Sequence, residues 1–286
     1  MKARLPIVAA LLTGLVGFGR EALPGQTPPL MDSVTTNIDP PMTVPFGPGE
    51  LLEYDVKLGV LGKRGAGFMS VDGLETVRGR TTYRITMAYE GGLWFAKVKD
   101  HFKSWLDVAN LVTLRSVEDT KQINRERFKH FEFFPETRTW ERQDNGRSGE
   151  MPTSEPLDQI SFFYFVRTLP LEVGEEYSFN RYFKESGNPV ILRVLRRDTV
   201  EVPAGTFPTI VVQPVIRSSG LFGEGGEAKL YLSDDPRRLL VLMESDIPIV
   251  GRLSLHLREI TEGNRLTTIG QPPVKVPPDT VEIALS

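Results

Sequence analysis

The stretch Leu51-Leu52-Glu53-Tyr54-Asp55-Val56-Lys57-Leu58-Gly59-Val60 decides the fold. Leu52, Tyr54, Val56, Leu58 and Val60 are apolar, and Glu53, Asp55 and Lys57 between them are charged. A helix, at about 3.6 residues per turn, would scatter both sets around its circumference. A strand puts each set on one face, so this is a strand with one buried and one wet side. The alternation recurs at Tyr83, Ile85, Met87 and Tyr89, and again at Leu253, Leu255 and Leu257.

Further strands are expected at 67–77, 98–106, 111–119, 126–134, 137–143, 175–185, 189–202, 207–217, 226–233 and 238–245. Turn residues separate them: Arg78-Gly79-Arg80, Asp144-Asn145-Gly146, Ser186-Gly187-Asn188-Pro189, Pro203-Ala204-Gly205 and Asp234-Asp235-Pro236. Each supplies Gly, Asn, Asp or Pro where a chain reverses. Short links between successive strands imply antiparallel neighbours. The expected fold is mostly β: one large antiparallel meander forming a curved sheet or barrel-like structure, with one buried helix.

That helix is expected at Leu157–Leu169, LDQISFFYFVRTL, between Pro156 and Pro170. Pro suits an early helix position and also a stop. The segment is apolar nearly all round, which implies burial against the sheet.

Working outward, the 286 residues divide into four parts. Residues 1–22 read as a signal peptide: Lys2 and Arg4 precede an uncharged run from Leu5 to Phe18, then small residues and Arg20. That run is short for a membrane span, which takes about 20 apolar residues. Residues 23–45 are a Pro-rich tether, 46–262 the β domain, and 263–286 a Pro-rich C-terminal tail. Export, to the periplasm or else to the outer membrane, is the expected destination. The chain has no cysteine, which closes lipoprotein anchoring, disulfides, thiol catalysis and Cys-ligated zinc. A formal net charge of -3 gives no basic field for nucleic acid.

Four segments carry a resemblance: PFGPGELLEYDVKLGVLGKRGAG at 45–67, LDQISFFYFVRTLPLEVGEEY at 157–177, DTVEVPAGTFPTIVVQPVI at 198–216, and KLYLSDDPRRLLVLMES at 229–245. In that order and spacing the chain resembles the bacterial envelope family catalogued as domain of unknown function 3108, over roughly 46 to 260. The resemblance implies a signal sequence and a β-rich envelope protein with no assigned reaction. Its recurrent Asp and Arg match Asp158 and Arg167, and no catalytic role comes with them.

Candidate chemistry is thin. His101, His130 and His256 sit in separate strands, and no HExxH or GxSxG motif is present. Asp234 and Asp235, with Glu224 and Glu227, are the most suggestive carboxylates, but Asp-Asp-Pro between strands is what a tight turn needs. Gly220, Gly223, Gly225 and Gly226 lack the Lys-Ser/Thr and the helix of a phosphate loop.

Aromatic residues crowd the middle of the chain, with Phe95, Phe102, Phe133, Phe134 and Tyr164 among them. Trp94, Trp105, Phe162, Phe163 and Phe165 are the candidate ligand-binding residues. They read either as an aromatic core or as the wall of an apolar cavity for a lipid. The expectation is therefore a non-enzymatic exported protein, with no cofactor and no metal. It would bind a hydrophobic ligand or an envelope partner in its concave face. An integral outer-membrane β-barrel and, after it, a hydrolase of envelope polymers are the alternatives.

Overall fold

The computed structural model describes residues 44–59, 62–93, 96–122, 125–215, 228–247 and 251–266. The expected signal peptide, most of the tether and most of the tail lie outside these residues, as do Trp94, Phe95 and the Gly220–Gly226 segment.

Eight strands precede the helix: β1 (Leu51–Leu58), β2 (Lys63–Val77), β3 (Arg80–Leu93), β4 (Ala96–Asp107), β5 (Thr113–Gln122), β6 (Arg125–Phe134), β7 (Thr139–Arg142) and β8 (Ser148–Glu150). Helix α1 (Gln159–Val166) follows. Then come β9 (Glu176–Phe179), β10 (Val190–Val202), β11 (Gly205–Val215), β12 (Ala228–Ser233), β13 (Leu240–Ile247) and β14 (Gly251–Thr261). All fourteen form one sheet in the order β8-β7-β6-β5-β4-β3-β2-β1-β14-β13-β12-β11-β10-β9. Every pairing between them is antiparallel.

The order is that of two meanders joined through their outer chain ends. β1 pairs with β14, and the sheet is not closed: its two edges are β8 and β9, adjacent in sequence, with α1 on the segment between them. The β1 register follows its alternation. Leu52, Tyr54 and Val56 are buried, Asp55 is only half-buried, and the Tyr54 hydroxyl donates to the Leu240 carbonyl at 2.9 Å. The β2–β3 turn holds Arg78 and Gly79 both at positive φ, 48° and 79°, the backbone that a two-residue hairpin of matching twist requires.

One large core covers the concave face. It joins Leu52 and Tyr54 of β1, Ile85 of β3, Leu192 of β10, Met243 of β13 and Leu257 of β14 with the apolar residues of α1. Three expectations need correction. The helix is shorter than 157–169, because Asp158 acts as its N-cap and Leu157 is taken by a bridge to Tyr182. At the other end Thr168 and Leu169 donate three residues back, tightening the turn before Pro170. The strand expected at 175–185 stops at Phe179, since Tyr182 pairs instead with the Asn188 side-chain amide. Finally β8, three residues without apolar alternation, was not expected at all.

Candidate functional site

The place where the sheet fails to close is filled by side chains. From the β8 side come Phe131 and Phe133 of β6, Trp140 of β7 and Met151; from the β9 side come Tyr182 and Phe183. Phe183 meets Phe131 at 5.4 Å and Phe133 at 5.2 Å, both edge-on. Below them the strand edges are bridged by backbone through the 155–157 segment. Leu157 N–H donates to the Arg181 carbonyl, and Thr113 N–H donates to the Pro156 carbonyl, each at 2.7 Å. The Arg181 guanidinium donates to the Glu155 and Leu111 carbonyls and lies 4.4 Å over the Phe165 ring.

Helix α1 occupies the concave face behind this seam. Residues 162 and 163 lie about 100° apart on a helix, so a helix packed on one side must expose one of them. Here Phe162, Phe163 and Phe165 are exposed by only 5%, 2% and 3%. The helix is therefore covered on more than one side: Tyr164 packs on Phe46 at 4.9 Å and Phe165 on Phe179 of β9 at 5.2 Å.

The two helix ends are held by the two charged residues of the segment. Arg167 forms a bidentate pair with Glu50, Nη1 to Oε1 at 2.6 Å and Nη2 to Oε2 at 2.7 Å. The two side chains are 1% and 5% exposed. Nη2 also donates to the Pro45 and Arg237 carbonyls, and the guanidinium sits 5.3 Å from the ring centres of Phe46 and Tyr164. Burial pulls the Arg167 pKa down, but the Glu50 carboxylate more than offsets this and the group is held above its ordinary value. The pair ties α1 to the chain entering β1 and to the β12–β13 turn.

At the other end Asp158 Oδ1 accepts from Ile160 N–H at 3.0 Å and Ser161 N–H at 2.8 Å, while Ser161 Oγ accepts from Asp158 N–H at 2.9 Å. This is a reciprocal capping box with Ser in the role usually filled by Glu or Gln. Asp158 Oδ2 is buried without a partner. Burial pushes its carboxyl up from 3.8 to about 6, and the facing Ser104 hydroxyl with the bonds from Ser161 and Ile160 offsets only part of that.

The candidate residues are not all brought together. Phe162, Phe163 and Phe165 share the concave core, whereas Trp105 lies on the opposite face of β4 with Val77, Val112 and Leu114. Its indole N–H donates to Glu75 at 2.6 Å, and Arg115 stacks on its ring. Trp94 lies outside the described residues. Asp235 accepts from Ser233 Oγ and Arg237 N–H, and Asp234 pairs with Arg197 and Arg238, so both serve the turn. Among the described residues no group of His, Asp or Glu is placed to hold a metal ion. Glu50 was not singled out by sequence; the signal that could have found it is Arg167, a cation in an apolar segment that needs a buried partner.

A family model described as protein of unknown function DUF3108 matches residues 53–258. The chain belongs to this family. The match spans β1 to β14 of the DUF3108 sheet, with α1 inside it. No curated protein matches the chain. Among solved structures, the DUF3108 chain is similar to a β-barrel-like protein of domain of unknown function DUF1849 from Brucella abortus. Identity is 9% and TM-score 0.44, covering 74% of this chain and 97% of that one. It is also similar to a Parabacteroides distasonis chain described as a lipoprotein, at 14% identity and TM-score 0.29, covering 77% and 99%. A Bacteroides fragilis chain described as an exported protein with a YmcC-like fold is 12% identical at TM-score 0.30, again covering 77% and 99%. At scores this low the likeness carries no argument for this chain.

Proposed function

We propose that this is an exported envelope protein that works by binding rather than by catalysis, taking a hydrophobic ligand or partner group at the aromatic seam. The observation that carries this reading is the seam itself. The thirteen pairings between neighbouring strands are backbone ladders, whereas between the edges β8 and β9 there is none, and aromatic rings with a few backbone bonds through the 155–157 segment stand in for it. A junction held by side chains opens at lower cost than a ladder of backbone bonds, and its opening would uncover aromatic surface. The compartment rests on the sequence alone, through the basic start and apolar run of residues 1–22.

The convex face weighs against the integral barrel. A membrane barrel needs an apolar band on its outside. Here outward strand positions carry ion pairs: Arg84 with Asp72 at 3.1 Å, Lys63 with Asp55 at 2.7 Å, Arg258 with Glu53 at 2.9 Å and Arg252 with Glu244 at 3.3 Å. Such a surface suits water, which favours the periplasm.

Fractionation of the native host tests the compartment. Mature protein should begin within about ten residues of Gly19, as a cleavage site lies just past the apolar run, and should leave the membranes in a carbonate wash. Intact Met1 in the cytosol, or retention in washed membranes, overturns the reading. Titration with a fluorescent fatty acid tests the binding. Saturable uptake that Phe183→Ala weakens supports a seam ligand, and no uptake by the parent protein removes it.

A further inference from the structure

The Asp158 end of α1 is a cluster of buried polar groups. Asp158 N–H lies against Thr113 Oγ1 and Ser161 Oγ, and these two hydroxyls are bonded to each other at 2.8 Å. Ser104 of β4 faces the Asp158 carboxyl, and its Oγ is also buried without a hydrogen bond of its own. Thr113, Ser104 and Ser161 are fully buried. A buried carboxyl thus has one oxygen unspent. Ionised, it is a buried charge with no cation beside it.

The charged groups on the surrounding elements are committed elsewhere. Asp107 of β4 is bonded to Arg80, Glu155 to Arg181, and Arg181 to two carbonyls besides. Arg167 at the far end of α1 is held by Glu50. Tyr83 and Tyr164, which pack at the same end of the core, are kept neutral by burial. Asp158 is therefore the group at the helix start that changes charge near neutral pH.

We propose that α1 is a proton-responsive plug: a proton taken up by Asp158 seats the helix against β4 and β5, and its release loosens the helix and frees the aromatic face behind the seam. The inference deepens the binding reading and rests on it for its purpose, though not for its chemistry. The sign is fixed by the direction of the shift. The carboxyl is raised from 3.8 to about 6 in the folded state, so folding binds the proton. Seating is complete at acid pH and is lost as pH rises through about 6.

Hydrogen exchange on the full chain tests this without any ligand. After correction for intrinsic exchange, the opening constant of the α1 amides should rise between pH 4.5 and 7.5. The rise over that interval is up to about twenty-five-fold, the part above pH 4.5 of the full factor for a carboxyl moved from 3.8 to about 6. Asp158→Asn keeps a good N-cap and should show no such rise. Ser104→Ala, which removes the hydroxyl that favours the ionised carboxyl, should move the midpoint of opening to higher pH, a change that a merely structural serine would not cause. Flat opening in the parent protein, or an equal rise in Asp158→Asn, overturns the plug whether or not fatty acid binds. A pH-dependent opening with no fatty-acid uptake at either pH keeps the plug and removes the binding reading.

Discussion

The two ends of α1 are both anchored by buried charge, and they are anchored in opposite ways. At Arg167 the charge is balanced: two guanidinium nitrogens meet two carboxylate oxygens of Glu50. Only the Arg167 Nε donor is left over. At Asp158 the hydrogen bonds are mostly made and the charge is not balanced. The first arrangement leaves little for pH to act on, since each charge would have to be stranded to neutralise the other. The second makes protonation the cheaper state. A helix fixed rigidly at its C-terminal end and conditionally at its N-terminal end can tilt rather than leave.

The largest effect expected from breaking this contrast is at the balanced end. Glu50→Ala strands Arg167 in the core and should cost about 3–5 kcal/mol in denaturant unfolding. Replacing both partners together, Glu50→Leu with Arg167→Met, should recover most of that loss. A double variant no more stable than the single one would show that Arg167 anchors by packing on Phe46 and Tyr164, not by its charge.

Between the two ends, Phe162→Ala, Phe163→Ala and Phe165→Ala should each cost about 3–5 kcal/mol, since all three rings are covered. One clearly cheaper variant would locate a void along the helix.

At the unbalanced end the sign reverses. Asp158→Asn should stabilise the protein at pH 7.5, by at most about 3 kcal/mol, and should be neutral near pH 4. Asp158→Ala also loses the cap and should gain about 1 kcal/mol less. Denaturant midpoints of the parent and both variants across pH 4–8 check this. A parent protein whose stability climbs with pH through 6 contradicts it. The smallest effect belongs to the convex face: Glu53→Gln, losing an exposed pair with Arg258, should change stability by less than about 1 kcal/mol.

Much of the sheet was legible because its alternation is local. Leu52, Tyr54 and Val56 declare their face without help from any other strand, and Arg78-Gly79 fixes the next register in two residues. Family and fold class followed from the same segments. What the sequence hid is non-local. Nothing around Glu259 and Ile260 says that they lie opposite Glu53 and Leu52, and nothing in the eight strands before α1 says that the sheet stops at β8. The candidate site was half legible for the same reason. The aromatic run 162–165 announces burial, whereas Trp105 lies on the other side of β4, where Glu75 and Arg115 receive it. Glu50 gave no signal of its own, being one carboxylate among many until Arg167 is placed opposite it.

The pairing of β1 with β14 puts the first and last strands of the domain side by side in the middle of the sheet. For a chain delivered from its N-terminus, every hairpin of the first wing can form as it arrives, but β1 keeps one bare edge until the final strand appears. That closing contact spans nearly the whole domain, the kind of pairing that is slow to find. A chain cut short anywhere before β14 would present Leu52, Tyr54 and Val56 along an unpaired strand, a template for wrong partners. Completion of the sheet and burial of that edge are thus the same event, so an incomplete domain is marked by a bare strand at its centre.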